Sequence, residues 1–294
     1  MSGAPVRPAG AALLTAATMV FFAANSWLAR WALRSGEVDG ITFTGVRVLS
    51  GALALLALAG ARRDGGNPWK HGSWSASLAL FVYALAFSLA YVWIDAGVGA
   101  LILFAAVQAT MIGGGIRRGE WPSRLEWSGL ALSLGGLAYL TAPGAGAPPA
   151  GGAALMAAAG AAWGWYSLAA KGVRHPAAAT AGNFLRACPP AASALAAVWL
   201  PGRGWGWAHP PGLALAAVSG SITSGLGYVL WYTVFRRLGA TRAAVVQLTV
   251  PAIAAAGGVA FLGEDPAPRL LPAAAAILGG VGLAMSGRRG GGAA

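Results

Sequence analysis

Apolar residues run through this chain in ten long blocks, separated by short polar or Pro/Gly-rich stretches. The blocks cover roughly 10–32, 41–60, 76–95, 97–116, 125–141, 152–171, 178–200, 212–235, 240–262 and 270–287. Each is close to the ~20 apolar residues that an α-helix needs to cross the hydrocarbon core of a bilayer. The runs are continuous rather than alternating, so they predict helices and not the strands of a barrel. The slightest break, "DAGVG" at 95–99, divides the third block from the fourth. The first block is longer than the apolar core of a signal peptide and is read as the first membrane helix.

Composition agrees with this pattern. Hydrophobic residues make up 57% of the 294 and charged residues 10%, against ~25% charged in an average soluble domain. Mean hydropathy is +0.65. The net charge of +12 would suggest nucleic acid in a soluble protein. Here the basic residues stand in small groups between apolar blocks, so they read as topology signals and no nucleic-acid partner is expected. With the N-terminus in the cytoplasm, 14 fall inside: Arg7, Arg62, Arg63, Lys70, Arg117, Arg118, Arg124, Lys171, Arg174, Arg236, Arg237, Arg242, Arg288 and Arg289. Four fall outside (Arg30, Arg34, Arg203, Arg269), and Arg47 and Arg186 lie within blocks. That asymmetry predicts both termini in the cytoplasm.

The sequence also repeats itself at an offset of 144. Gly113 and Gly114 fall on Gly257 and Gly258; Gly119, Glu120 and Pro122 on Gly263, Glu264 and Pro266; Leu134, Gly135 and Gly136 on Leu278, Gly279 and Gly280. Five helices per half is an odd number, so the second half must enter the membrane from the opposite side. The predicted fold is therefore all-α and integral to the membrane. It has ten transmembrane helices in two inverted-topology repeats, 1–141 and 152–294, joined by a Pro/Gly linker at 142–151. Many secondary transporters share that architecture, with substrate bound between the repeats.

The segment "RRLGATRAAVVQLTVPAIAAAGGVAFLGEDP" (236–266) followed by "LGGVGLAMS" (278–286) resembles the EamA-type family of the drug/metabolite transporter superfamily. A weaker first copy is "AGVGALILFAAVQATMIGGGIRRGEWP" (96–122) with "LGGLAYL" (134–140), and Arg47 in the second helix also suits the family. The first half departs from it where the fourth helix usually has a proline; Gln108 stands near that position, while Pro251 keeps a proline in the ninth. The resemblance implies a multi-pass transporter of the bacterial inner membrane, with membrane lipids around it. It implies export of amino acids or related small metabolites, in particular of the aromatic amino-acid exporter branch. Export of drugs or cationic aromatic compounds is the alternative. A monomer suffices for this reading.

Candidate pathway residues are the polar and aromatic groups inside the blocks. Arg47 and Arg186 each either hold a substrate carboxylate or gate, or cap backbone carbonyls and snorkel to the nearer interface. Tyr83, Phe87 and Tyr91 share one face of the third helix, and Tyr228 and Trp231 share one face of the eighth with Tyr232 and Phe235. Trp163 and Tyr166 lie on the sixth. These rings line a central cavity or pack against neighbours and lipid. Asn25, Gln108, Asn183 and Gln247 offer neutral hydrogen bonds to a zwitterion, or bind other helices. Pro251 is a candidate hinge, and Gly113 and Gly257 are candidate close-packing positions.

All eight acidic residues fall at predicted helix ends or in loops. Transport is therefore expected to be facilitated, or only weakly coupled to ions. Glu264, like Glu120, reads as the marker of a helix end. His71, His175 and His209 have no metal-ligand spacing, so no metal or other cofactor is expected. No HExxH or GxSxG is present, and the chain is read as a transporter and not an enzyme.

Overall fold

The computed structural model describes residues 8–61, 67–117, 121, 123–142, 147–170, 173, 175–200, 206–231, 233–234, 246–247, 249–265 and 268–287. Among them it forms ten helices and no strand. They are α1 (Pro8–Arg34), α2 (Gly40–Ala61), α3 (Trp74–Ala90), α4 (Ala96–Ile116), α5 (Arg124–Thr141), α6 (Ala150–Ala170), α7 (Pro176–Trp199), α8 (Pro210–Trp231), α9 (Thr249–Leu262) and α10 (Leu270–Gly287). The pattern of apolar blocks located nearly all of them within two or three residues. The third block ends early: α3 stops at Ala90, and Tyr91–Asp95 form a tight turn before α4. For the ninth block, residues 240–245 lie outside the described residues.

Local chemistry sets several of these ends. The Ser73 hydroxyl accepts a hydrogen bond from the Ala76 amide at 3.1 Å and starts α3. Ser123 and Glu126 form a reciprocal capping box at the start of α5, satisfying two amides that a helix leaves unpaired. Glu120 and Pro122, the first-half partners of Glu264 and Pro266, lie outside the described residues.

The helices α1, α2, α4 and α8 are long and apolar enough to cross a membrane, by length and composition. Nine of the 12 described tryptophans are exposed: Trp31, Trp69, Trp74, Trp93, Trp121, Trp127, Trp165, Trp199 and Trp207. All stand near helix ends, as the interfacial belts of a membrane protein require. Small residues let the helices approach closely. Gly160 and Gly164 of α6 lie against the Leu103 and Val107 carbonyls of α4, as in other small-xxx-small crossings.

Several of the larger helix contacts have an image when each helix is exchanged for the one five places along. The pair α3·α6 has its counterpart in α8·α1, and α4·α6 in α9·α1; α2·α7, α4·α9 and α5·α10 map onto themselves. The exchange holds at residue level between α5 and α10. Gly136 packs on Ile277, and Gly280 packs on Ser133; the 144-residue offset carries Gly136 onto Gly280 and Ser133 onto Ile277, so each contact is the image of the other. The Ser133 hydroxyl donates to the Ile277 carbonyl at 3.1 Å.

A central aromatic cavity and a charged cluster above it

The middle of the bundle holds a small cavity between α1, α3, α4, α6 and α8. Its walls are Phe22, Asn25 and Ser26 of α1, Tyr83 and Phe87 of α3, Ala100, Leu103 and Phe104 of α4, Trp163 of α6 and Tyr228 of α8, with Tyr91 at the end of α3. The free space is about 20 Å³, room for one or two waters and too little for an amino acid. The rings close on one another: Trp163 lies 5.0 Å from Tyr83 and 4.8 Å from Tyr228 between centroids. Phe22 meets Trp163, Tyr228 and Trp231 edge-on. Such pairs add about 0.5–1.5 kcal/mol each beyond buried area.

Arg47 sits directly behind this wall. It is 2% exposed. Its Nη2 donates to the hydroxyl oxygens of Tyr83 at 3.2 Å and Tyr228 at 3.3 Å, and its Nε to Ser224 Oγ at 3.0 Å. The guanidinium lies over the rings of Tyr83 and Phe87, 5.3 and 4.9 Å from their centroids. Its Nη1 is buried with no partner among the described residues. An arginine stays charged at any physiological pH. Leaving such a charge without a counter-ion costs several kcal/mol.

An irregularity in α8 brings Ser224 into reach. Residues Ser219–Leu226, "SGSITSGL", form a π-helical stretch, in which each amide bonds five residues back. Ser219 and Ser224, five apart, then share a face. Asn25 Oδ1 accepts from the hydroxyls of Ser219 at 2.9 Å, Thr223 at 2.6 Å and Ser224 at 3.2 Å. Gly220 permits the approach, because a side chain there would strike the Arg47 carbonyl and Ser50.

Above the cavity, at the end where α3 turns into α4, lies a second cluster. Arg30 of α1 is 7% exposed. Its Nη1 donates to the carbonyls of Tyr91 at 2.9 Å and Val92 at 3.2 Å. Its Nη2 donates to Asp95 Oδ1 at 2.8 Å and its Nε to Glu264 Oε1 at 3.2 Å. Both Glu264 oxygens also accept from the Ala96 amide, at 3.1 and 3.0 Å, where the positive end of the α4 dipole favours an anion. Gly263, with φ 61°, turns the chain back so that the Glu264 amide reaches the Gly258 carbonyl at 3.1 Å. Burial holds the Glu264 carboxyl above its ordinary value. The Ala96 amide pulls it down, the Asp95 charge pushes it up, and Arg30 opposes both burial and Asp95. Glu264 is thus more than a marker of a helix end: it ties α9 to α1 and to the start of α4.

The other candidate residues divide. Asn25, Tyr83, Phe87, Tyr91, Trp163 and Tyr228 meet at the cavity. Tyr166 stacks on Trp163 at 5.4 Å, and Trp231 packs behind Phe22, so both back the wall rather than line it. Arg186 is elsewhere: its Nη1 donates to the carbonyls of His71 at 2.7 Å and Gly182 at 3.0 Å, and it stacks over Trp69 and Trp74. Its bonds to the carbonyls of His71 and Trp69 anchor the loop before α3 to α7. Asn183 accepts from the Ser73 amide at 2.9 Å in the same place. Gln108 and Gln247 are buried away from the cavity wall, each with an amide nitrogen unpartnered among the described residues. Pro251 is buried in α9, and residues 246 and 247 before it are helical as well. Gly257 receives the Trp27 ring, but a side chain at Gly113 would meet nothing within 4 Å, so Gly113 marks no close crossing. Tyr232 and Phe235 lie outside the described residues. The sequence reading passed over Arg30, which it counted only as an outside charge, Asp95, which it set at a helix end or loop, and Phe22, which no polar neighbour distinguishes. Ser219, Thr223 and Ser224 were hidden too, because the hydroxyls converge only in the π-helical register.

Comparisons with known proteins place this geometry in context. A solved crystal structure superposes with a TM-score of 0.68 at 19% identity, covering 96% of this chain and 100% of its own; it shares the fold. An uncharacterized protein of Pseudomonas aeruginosa is 48% identical over 278 residues, 95% of each chain. The model of the EamA-like transporter family matches twice, over residues 9–142 and 150–286. A helical bundle with interfacial tryptophans, a buried central cavity and two matches to one transporter model are mutually consistent: this chain is a multi-pass membrane protein that belongs to the EamA-like transporter family.

Proposed function

We propose that the chain is a secondary transporter that exports amino acids or related small metabolites across the bacterial inner membrane by alternating access. The observation that carries this is the closed cavity at the centre of the bundle, walled by aromatic rings with Asn25, Ser26 and two tyrosine hydroxyls among them. A mostly apolar pocket with a few convergent polar groups suits a small amphipathic ligand. The exchange symmetry of the packing supports two repeats of five helices related by a two-fold axis. An odd number of helices in each makes their topologies inverted. Basic residues favour the inner side of a membrane, which puts both termini in the cytoplasm and the Arg30–Asp95–Glu264 cluster at the periplasmic end.

In this reading the structure is the occluded state. Arg30 holds the Tyr91 carbonyl while the Tyr91 ring closes the cavity, so the cluster is a latch over the substrate space. Export requires Glu264 and Arg30 to part. The alternative substrates, cationic drugs, suit the site less well. No acidic residue is among the cavity walls, and Arg47 repels a cation from behind them.

The test is counterflow into liposomes holding the purified full-length chain. Saturable exchange of one labelled amino acid, competed by several others, supports the proposal. Trp163→Ala should then cut the exchange rate about tenfold or more while membrane insertion is unchanged, because a wall ring contributes about 1.5 kcal/mol or more. A flat response across the amino acids would overturn it.

A further inference from the structure

We infer that the cavity selects a ligand carrying one net negative charge on an apolar or aromatic body, with Arg47 as the buried counter-charge. This rests on the transport reading and narrows its substrate class. Arg47 has three hydroxyl partners and no carboxylate: among the described residues the ion pairs of buried arginine all belong to Arg30. Its Nη1 is left without a partner. The walls of the cavity contain no acid and no base, and Arg47 lies directly behind them, bonded to two of their hydroxyls. The central site therefore carries an excess of one positive charge in surroundings of low dielectric, where an unpaired charge is costly and an incoming anion is strongly favoured.

The hydrogen bonding points the same way. Arg47 donates to the oxygens of Tyr83 and Tyr228. Each hydroxyl must then turn its proton elsewhere: toward the cavity that both tyrosines line, or, while no ligand is bound, toward each other and Ser224. The guanidinium polarises these hydroxyls as donors, and charge-assisted donors prefer a carboxylate or similar anion. Phe22, Phe87, Phe104 and Trp163 supply the apolar surface. A zwitterion brings an ammonium for which no described wall residue offers an opposite charge. A monoanion is matched once by Arg47 and leaves nothing unpaired.

Three compounds with one ring and different charges test this: 3-phenylpropionate, phenylalanine and phenethylamine. Binding is read at neutral pH from tryptophan fluorescence and from the rise in melting temperature of the purified full-length chain. The expected order is 3-phenylpropionate well ahead of phenylalanine, with phenethylamine not bound. Arg47→Gln should weaken 3-phenylpropionate at least tenfold and bring it level with phenylalanine. Arg47→Lys should keep the preference for the anion, which separates charge from packing, and Tyr228→Phe should weaken binding without reversing the order. Equal or tighter binding of phenylalanine by the native chain overturns the inference and leaves amino-acid transport standing. Binding of none of the three also overturns it, and the transport reading then stands or falls on its own counterflow assay.

Discussion

Two adjacent glycines show how much a single position decides. A side chain at Gly257 would run into the Trp27 ring, and one at Gly258 into the Glu264 carboxylate. The "GG" of α9 thus clears a place for one ring of α1 and for the acid that ties α1, α4 and α9 together. Gly258→Ala should displace Glu264 and leave the buried Ala96 amide short of its acceptor. The expected loss is about 1–3 kcal/mol of stability, read from the denaturant midpoint of the solubilised protein. Gly113→Ala, at the position equivalent to Gly257, adds a methyl into open space and should leave the midpoint unchanged or slightly raised. Equal effects from the two would contradict this account. The sequence shows the same "GG" in both halves; which pair faces a partner depends on the opposite helix. Arg47 was legible as costly from its place within an apolar block, whereas Arg186 looked equivalent and turned out to anchor a loop. The sequence shows how deep each arginine lies but not which carbonyls lie within reach.

At the scale of the helices, the ends carry the charged contacts on which the proposed latch rests. The cluster between the ends of α1, α3 and α9 contains Arg30, Asp95 and Glu264, with Arg34 donating to the Leu262 carbonyl at 3.4 Å beside it. When the latch opens, Glu264 meets water and its carboxyl returns toward the ordinary ~4.3. The closed state holds it above that, chiefly by burial. The closed state therefore binds the proton more tightly, and acid favours it. That advantage is complete below the ordinary value and is lost as pH rises through the elevated one. Export should slow as the outer pH falls into the acid range, and Glu264→Gln should remove that dependence. Faster export at low outer pH in the native chain, abolished by the same substitution, would show the opposite sign. Reading Glu264 only as the marker of a helix end hid this device. Glu264 does follow a helix, but a left-handed glycine folds it back into the bundle. The π-helical stretch of α8 was equally out of reach, since "SGSITSGL" has the composition of any small-residue membrane helix and only its partners fix the register.

Across the whole molecule, the fold was far more legible than the site. Apolar length places helices because the bilayer sets one thickness for all of them, and the 144-residue offset aligned Gly136 with Gly280, which pack in equivalent ways on the facing helix. The site draws one to three residues from each of five helices, and no linear pattern reports which faces converge. The central claim is that substrate passes through the cavity only when the Arg30–Glu264 end opens. The most direct measurement is counterflow in a chain with Arg34→Cys and Leu262→Cys, the native Cys188 replaced by serine. A short, reducible bifunctional reagent joins the two new thiols across the α1–α9 end. Transport should stop on cross-linking and return on reduction, while single-cysteine controls keep exchanging. Undiminished counterflow through the cross-linked protein would contradict the account.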